Sequence, residues 1–322
     1  MTAISELMSH LTIGQSAQCG ALEVFALIHG ADASKNPSHS PVSYILLAEA
    51  LAAGSARVEE VSEDGEVPTL KLVNEGPVSL LALDGEELLG AKQNRILSVS
   101  ILAPAASSIE IPVACVEQGR WRDVSRGFKS SKDMLFASAR ANKARAVRTS
   151  LAQRGRPDAD QGQIWSDIDD KICLFRVASV TSAMADAYRD HARRIEDYSA
   201  RFRVEAGQVG AVFALNGRIF GLDIVERPEV WARLFDKLVR SYALDAIEFE
   251  EHRTPAPAAA RGVSTADLHA FMQQIAEAEL AVSPAVGLGE DIRFVDDAIE
   301  GGGLLHQGVA LHVSAFAADA VA

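Results

Sequence analysis

The chain has 322 residues, 48% hydrophobic and 23% charged, with a formal net charge of −13. That length supports a sizeable core in one large or two smaller domains. The acidic balance excludes the basic surface that non-specific nucleic-acid binding requires. Cys19, Cys115 and Cys173 are scattered with no CxxC pair, which fits reduced thiols rather than a disulfide framework. The opening "MTAISELMSHLTIG" lacks the basic and then apolar order of a signal peptide. No run approaches the roughly 18 apolar residues of a membrane span. A soluble cytoplasmic protein with no membrane partner is therefore expected.

In chain order, residues 20–120 read as β-rich. "ALEVFALI" predicts a buried strand, whereas "SYILLAEALAAG" suits a strand or a short helix equally. "TLKLVN", "VSLLAL", "RILSVSIL" and "SIEIPVACV" are short apolar or alternating runs broken by "EGP", "DG" and "APAAS". Ile109, Ile111 and Val113 alternate with Glu110 and Pro112, the pattern of a half-buried strand whose edge tolerates proline. Over residues 131–203 the period becomes helical. Long helices are predicted in "KDMLFASARANKARAVRTSLA" and "TSAMADAYRDHARRIEDYSARF", joined by "RGRPDADQGQIWSDIDDKI". Thr181 is the expected cap of the second, with Met184, Tyr188, Ile195, Tyr198 and Phe202 on one stripe.

Strands return in "GAVFALNGRIFGLDI". A helix follows in "RPEVWARLFDKLVRSYALDAIEF", with Pro228 in its first turn and a wide apolar face. "EEHRTPAPAAARG" reads as a Pro/Ala linker. A helix capped by Ser264 and Asp267 follows, and "GGGLLHQGVALHVSAF" closes the chain as a hairpin. "SLLALDGEELLG", "AVFALNGRIFG" and "GLLHQGVALHV" share one pattern of apolar arm, polar-Gly pair and second apolar arm. Asp-Gly and Asn-Gly suit a type I′ turn, whose two central residues need positive φ. The expected fold is α+β, a β-hairpin-rich mixed sheet or partial barrel with packed helices. It forms one unit over residues 10–317, with a β-rich part at about 20–122, a helical segment at about 131–203 and an α/β part at about 207–317.

No GxxxxGK[ST], no GxGxxG after a strand, no HExxH and no GxSxG occurs. His306 and His312 would share a face of one strand, but the turn at Gln307-Gly308 interrupts it, so no metal site is expected. The cofactor is left open. Eleven of the 31 basic residues but only two of the 44 acidic ones, Asp123 and Asp133, fall within residues 120–156. This basic segment is either a solvated face paired with acidic neighbours or a source of attraction for phosphate or carboxylate.

Lys92, Gln93, Asn94 and Arg95 stand in a row. On an extended chain Lys92 and Asn94 would share one face and Gln93 and Arg95 the other. A polar pair that faces inward must find partners, because unpaired buried polar groups are costly. Glu117 and Arg120 lie just after a strand in "CVEQGRW", and Glu117 can form an ion pair with either Arg95 or Arg120. Cys115 beside them reads as a small buried hydrophobe. Asp223 is a lone carboxylate in the apolar "FGLDI", so it is either paired or carries a shifted pKa. Tyr242, on a largely apolar helix, reads as a core residue with a hydrogen-bonded hydroxyl.

At "LDGEELLGAKQNRIL", "IPVACVEQGRW", "DQGQIW", "FALNGRIFGLDI", "KLVRSYALDA" and "GLGEDIR" the chain resembles the ARG and rhodanese-phosphatase-superfamily-associated domain family, over roughly residues 10–317. ARG stands for ADP-ribosylglycohydrolase. The resemblance implies a setting of NAD, ADP-ribose or a phosphorylated metabolite, and it carries over no catalytic role. An aromatic turn such as Leu-Phe-Asp is expected after "GLD", where this chain has "IVERP".

Two readings result. In the first, the protein binds a small anionic, nucleotide-type metabolite. Lys92, Arg95 and Arg120 hold phosphate or carboxylate, Gln93 and Asn94 add directional hydrogen bonds, and Tyr242 belongs to the same set. If it hydrolyses the ligand, Glu117 or Asp223 positions the water. In the second, the protein is a non-catalytic interaction module or homo-oligomer, and its polar motifs are structural networks.

Overall fold

The computed structural model describes residues 2–30, 42–252 and 262–318, and among these eight helices and seventeen strands form a mixed α+β fold. Helix α1 (Ala3–Ser9) starts at Thr2, whose hydroxyl accepts the Ser5 amide at 3.1 Å. β1 (Leu11–Cys19) and β2 (Leu22–His29) follow as an antiparallel pair. "SYILLAEALAAG" is strand and helix in succession. β3 (Tyr44–Leu46) runs straight into α2 (Leu47–Ala53), which stops at Gly54 in the left-handed region (φ 68°). Then come β4 (Ala56–Glu60), β5 (Thr69–Asn74), β6 (Ser79–Ala82), β7 (Glu86–Gly90), β8 (Arg95–Leu97), β9 (Ile101–Ala103), β10 (Ser107–Cys115) and β11 (Phe128–Met134).

Here the structure departs from three local expectations. "SLLALDGEELLG" is not a hairpin, because β6 pairs with β3 and β9 while β7 pairs with β8 and β11. Of the turn pair only Gly85 has positive φ (80°), so Asp84-Gly85 hands the chain from one sheet to another. "KDM" belongs to β11 and not to the helix α3 (Ala137–Arg154) that follows it. Pairing with β7 overrides the local helical pattern there. The long helix expected from Thr181 is two, α5 (Met184–Asp190) and α6 (Ala192–Arg201), broken at His191. Ala183 stands at the N-cap of α5, and the Thr181 hydroxyl donates to Glu117 instead. The expected stripe is nonetheless buried throughout, from Met184 to Phe202. The connector before it contains α4 (Gln161–Leu174), capped by Asp160, which accepts the Gln163 amide.

The later elements follow the local signals. β12 (Gln208–Leu215) and β13 (Arg218–Val225) turn at Asn216-Gly217, with φ of 50° and 76°. α7 (Pro228–His252) and α8 (Thr265–Glu277) come next, the latter with the Ser264–Asp267 capping box. Most of the "EEHRTPAPAAARG" linker, residues 253–261, lies outside the described residues. β14 (Glu279–Pro284) and β15 (Glu290–Val295) precede β16 (Ile299–His306) and β17 (Val309–Ala317). These last two turn at Gln307-Gly308, with φ of 53° and 79°.

The strands form an eight-stranded sheet (β1-β2-β12-β13-β17-β16-β15-β14), a six-stranded sheet (β11-β7-β8-β10-β5-β4) and a three-stranded sheet (β3-β6-β9). Because β2 pairs with β12, the N-terminal hairpin is continuous with the C-terminal half of the chain. Period-2 alternation then gives the large sheet two apolar faces. Leu222, Ile224 and Val212 face α1 and α8, while Phe213 and Phe316 face the side of α7 and α3. Asp223, between Leu222 and Ile224, is thereby delivered to the α3/α7 side. No helix among the described residues is long and apolar enough to cross a membrane.

Candidate functional site

Ala91, with φ of 40°, and Gly90, with φ of 138°, bend the chain out of β7 and present residues 92–95 to the loop after β10. The Gly90 backbone leaves no room for a side chain, since a Cβ there would lie 2.5 Å from the Gly127 carbonyl oxygen. The structure brings Gln93, Asn94, Arg95, Glu117 and Arg120 together. Arg120 donates to Glu117 Oε2 at 2.6 Å, to Asn94 Oδ1 at 3.1 Å, and to the carbonyls of Ala91 at 2.6 Å and Arg122 at 3.1 Å. Glu117 also accepts the Asn94 amide at 3.2 Å and the Thr181 hydroxyl at 3.0 Å. Burial would raise the Glu117 pKa, but the Arg120 guanidinium and these donors outweigh it and hold the carboxyl below its ordinary value. The Glu117–Arg120 pair thus fastens two loops, and its hydrogen-bonding capacity goes to the protein itself.

Arg95 is different. Gln93 and Arg95 do share a side, with Arg95 Nη1 donating to Gln93 Oε1 at 2.9 Å. Gln93 in turn donates to the Glu117 carbonyl at 3.0 Å, so it splints the guanidinium in place. Arg95 is 0% exposed, yet its Nε and Nη2 have no hydrogen-bond partner. Among the described residues no carboxylate stands within ion-pair distance of it. Burial pulls its pKa down, and the adjoining Cys115 sulfur and the Glu60 charge offset this only in part. The Trp121 ring, 48% exposed, covers it at 5.7 Å, and Lys92 Nζ lies 6.0 Å from the same ring. Cys115 sits beside Arg95 with its backbone clamped by Gln161, whose amide accepts its N–H at 2.8 Å and donates to its carbonyl at 2.9 Å. Burial pushes the Cys115 thiol pKa up.

Asp223 and Tyr242 lie elsewhere, in a second polar cluster on the α3/α7 face of the large sheet. No hydrogen bond or ion pair among the described residues joins it to the Arg95 cluster. Arg140 of α3 grips Asp223 with both terminal nitrogens, at 3.1 and 2.5 Å, and the Tyr242 hydroxyl donates to the same carboxylate at 3.0 Å. Burial raises the Asp223 pKa, but the Arg140 charge and the His312 contact more than reverse this. The register runs Asp223–Ser314–Gly302–Arg293 across β13, β17, β16 and β15, which puts these residues in one row. Arg293 donates to Asp291 on its own strand at 2.7 and 2.5 Å.

Above the row, Lys143 Nζ lies 2.6 Å from Asp84 Oδ1 and donates to the Ser98 carbonyl at 3.0 Å. Burial outweighs the Asp84 charge and pushes the Lys143 pKa down to about 8. Sequence reading missed Asp84, Ser98, Ser100, Arg140, Lys143, Arg293 and His312. Arg140 and Lys143 belong to the basic segment whose sequence suits either a solvated face or an anion-attracting one, although Ala137, Ala141, Ala144 and Val147 around them mark a buried face. Glycine at 302 is what admits the Arg293 side chain, since a Cβ there would lie 2.1 Å from the Ile292 carbonyl oxygen and 2.9 Å from Arg293 Cδ. Gly302→Ala is therefore expected to destabilise the protein by about 1–3 kcal/mol, as overpacking does. Urea unfolding checks this; an unchanged midpoint would mean that β16 shifts freely.

The rest of the basic segment is largely paired. Arg145 and Arg148 meet Glu300 at 3.0 and 2.9 Å, and Arg156 meets Asp158 at 2.6 Å. Beside these arginines an open cleft of about 880 Å³ runs between α3, the start of α4 and β10, with Gln161 in its wall. The cleft and the Arg95 cluster therefore share the residue that clamps Cys115.

Comparison with curated proteins and with solved structures finds no match. The family described as the ARG and Rhodanese-Phosphatase-superfamily-associated Protein domain matches residues 10–316, nearly the whole chain, and the protein belongs to that family.

Proposed function

We propose that this is a cytoplasmic protein that binds a small anionic nucleotide-type ligand, of ADP-ribose or NAD chemistry, at Arg95. The carrying observation is the buried Arg95 guanidinium with two uncommitted donors and no carboxylate partner among the described residues. An uncompensated buried charge is expensive, and a phosphate or carboxylate that accepts from Nε and Nη2 together would supply both counter-ion and acceptors. Lys92 at the rim adds a second cation, and the exposed Trp121 ring offers a face on which a base can stack. The family name, with its ADP-ribosylglycohydrolase association, agrees with such a ligand. In this reading Gln93 orients Arg95 and the Asn94–Glu117–Arg120 set holds the loop. Hydrolysis at this site has weaker support, because Glu117 is held by Arg120, Asn94 and Thr181, and Asp223 lies in the other cluster, gripped by Arg140 and Tyr242.

The test is calorimetric titration with ADP-ribose, NAD, AMP and inorganic phosphate, with the fluorescence of Trp121 as a second signal. Ligand at a hundred times its dissociation constant stabilises by about 2.7 kcal/mol. Arg95→Ala is expected to weaken binding at least about tenfold, since hydrogen bonds to charged groups contribute about 1.5–3 kcal/mol each. Arg95→Met, which keeps the buried apolar stem, should weaken binding likewise and leave the melting temperature close to wild type, because the fold then gives up one hydrogen bond along with an unpaired charge. Equal affinity in wild type and Arg95→Ala would remove Arg95 from the site.

The second reading, an interaction or self-association module, is favoured by the apolar side chains exposed around the same loops. Trp121, Val124 and Val180 all reach solvent, on segments tied by the Gly119 amide donating to the Thr181 carbonyl at 2.9 Å. It predicts a silent ligand panel and a hydrodynamic mass that rises with concentration.

A further inference from the structure

We propose that Ser100, His312 and Asp223 form a nucleophile–base–carboxylate relay that transfers the acyl group of a small ester to water, at a site separate from Arg95. Ser100 Oγ accepts the Asp84 amide N–H at 3.0 Å, which leaves its own proton to point at His312 Nδ1, 2.8 Å away. On the other side of the ring, His312 Nε2 lies 3.6 Å from Asp223 Oδ1, just beyond hydrogen-bond distance, and has no hydrogen-bond partner, so a small ring shift closes the contact. Arg140 and Tyr242 fix the carboxylate from behind, so it is an immobile acceptor for the imidazole N–H. The order serine hydroxyl, imidazole, carboxylate is the arrangement by which a base that is itself oriented by a third group activates a hydroxyl. The two ring nitrogens exchange places relative to the common arrangement, which leaves the roles unchanged. The three residues come from the loop after β8, from β13 and from β17, so no short motif announces them.

The site is nearly buried and charged. Ser100 keeps 5% of its surface in solvent contact, beside Asp84, which is held by the Lys143 ammonium. Lys143 uses two of its three N–H donors on Asp84 and on the Ser98 carbonyl and is the cation available to an oxyanion. Ser100 Oγ attacks the ester carbonyl carbon while its proton passes to His312 Nδ1. Collapse of the tetrahedral adduct breaks the bond to the alcohol, which leaves with that proton. Water then attacks the acyl-Ser100 ester with His312 again as base, and the carboxylic acid departs with Ser100 restored.

The experiment uses the full chain with a small alkyl fluorophosphonate, with mass mapping of the modified peptide, and with p-nitrophenyl acetate as a reporter ester. Stoichiometric phosphonylation of Ser100 is expected, together with a burst of p-nitrophenol equal to the enzyme concentration. His312→Gln, which can still hydrogen-bond Ser100 but cannot act as a base, should slow both about a hundredfold or more. Ser100→Ala should abolish both without altering the circular dichroism. An unmodified Ser100 in wild type, a label on another residue, or a rate unchanged in His312→Gln would each overturn the relay.

Discussion

Asp223→Ala is expected to lower the melting temperature by about 6 °C. Asp223 and Arg140 are both fully buried, and Arg140 Nε already lacks a partner. Removing the carboxylate strands the guanidinium and also deprives the Tyr242 hydroxyl of its acceptor. Truncating one member of a buried ion pair typically costs about 3–5 kcal/mol, and each kcal/mol moves the midpoint of a 322-residue chain by about 1.5 °C. Replacing the pair together, as Asp223→Asn with Arg140→Met, should recover most of the loss, because the stranded charge disappears with its partner. Scanning calorimetry of the single and double variants measures this. A single variant that melts within a degree or two of wild type would show that water or another carboxylate reaches Arg140.

The second large effect is pH-dependent and belongs to Glu87 of β7. Neither of its carboxylate oxygens is hydrogen-bonded, although Ser131 approaches, and the side chain is buried. Burial is the main cause that pushes its pKa up to about 8, helped by the like charges of Asp133 and Glu117 and only partly offset by Ser131 and Lys237. In the unfolded chain the same carboxyl titrates at its ordinary value of 4.5. The folded state therefore holds a proton that the unfolded state releases. The stability this contributes is complete below the unfolded value and is lost as the pH climbs through about 8. The whole shift corresponds to about 5 kcal/mol. Glu87→Gln, which fixes the neutral form, should match wild type at pH 4 and exceed it by several kcal/mol at pH 9 in urea unfolding. Lys143, pushed down to about 8, tilts stability the opposite way above that pH. It does so equally in both proteins, so their difference isolates Glu87. Parallel pH profiles would mean that Glu87 ionises freely in the fold.

The sequence by itself determined the local devices of this protein. Asn216-Gly217 and Gln307-Gly308 specify two hairpins because few residue pairs accept two successive positive φ values. Ser264 and Asp267 mark the start of α8 because both capping bonds close within four residues. The apolar stripes of α7 and of α5 with α6 are legible because burial follows the helical period even across the break at His191. The shared face of Gln93 and Arg95 could likewise be read from spacing, as could Glu117 as an ion-pair partner for one of the two nearby arginines.

Only the tertiary structure decided which of two neighbouring arginines is satisfied. Arg95 and Arg120 have the same chemistry, and they differ in that Glu117, three residues before Arg120 on the same loop, turns to Arg120 while no carboxylate reaches Arg95 among the described residues. The same holds for Asp84-Gly85, whose turn signal is real but whose two arms join different sheets. It holds most of all for the buried polar cluster, where Arg140 meets Asp223 across 83 residues and Ser100 meets His312 across 212. Turn dihedrals, caps and periodicity are settled within a few residues, whereas the partner of a buried charge is set by how sheets and helices stack. No window of sequence contains that information.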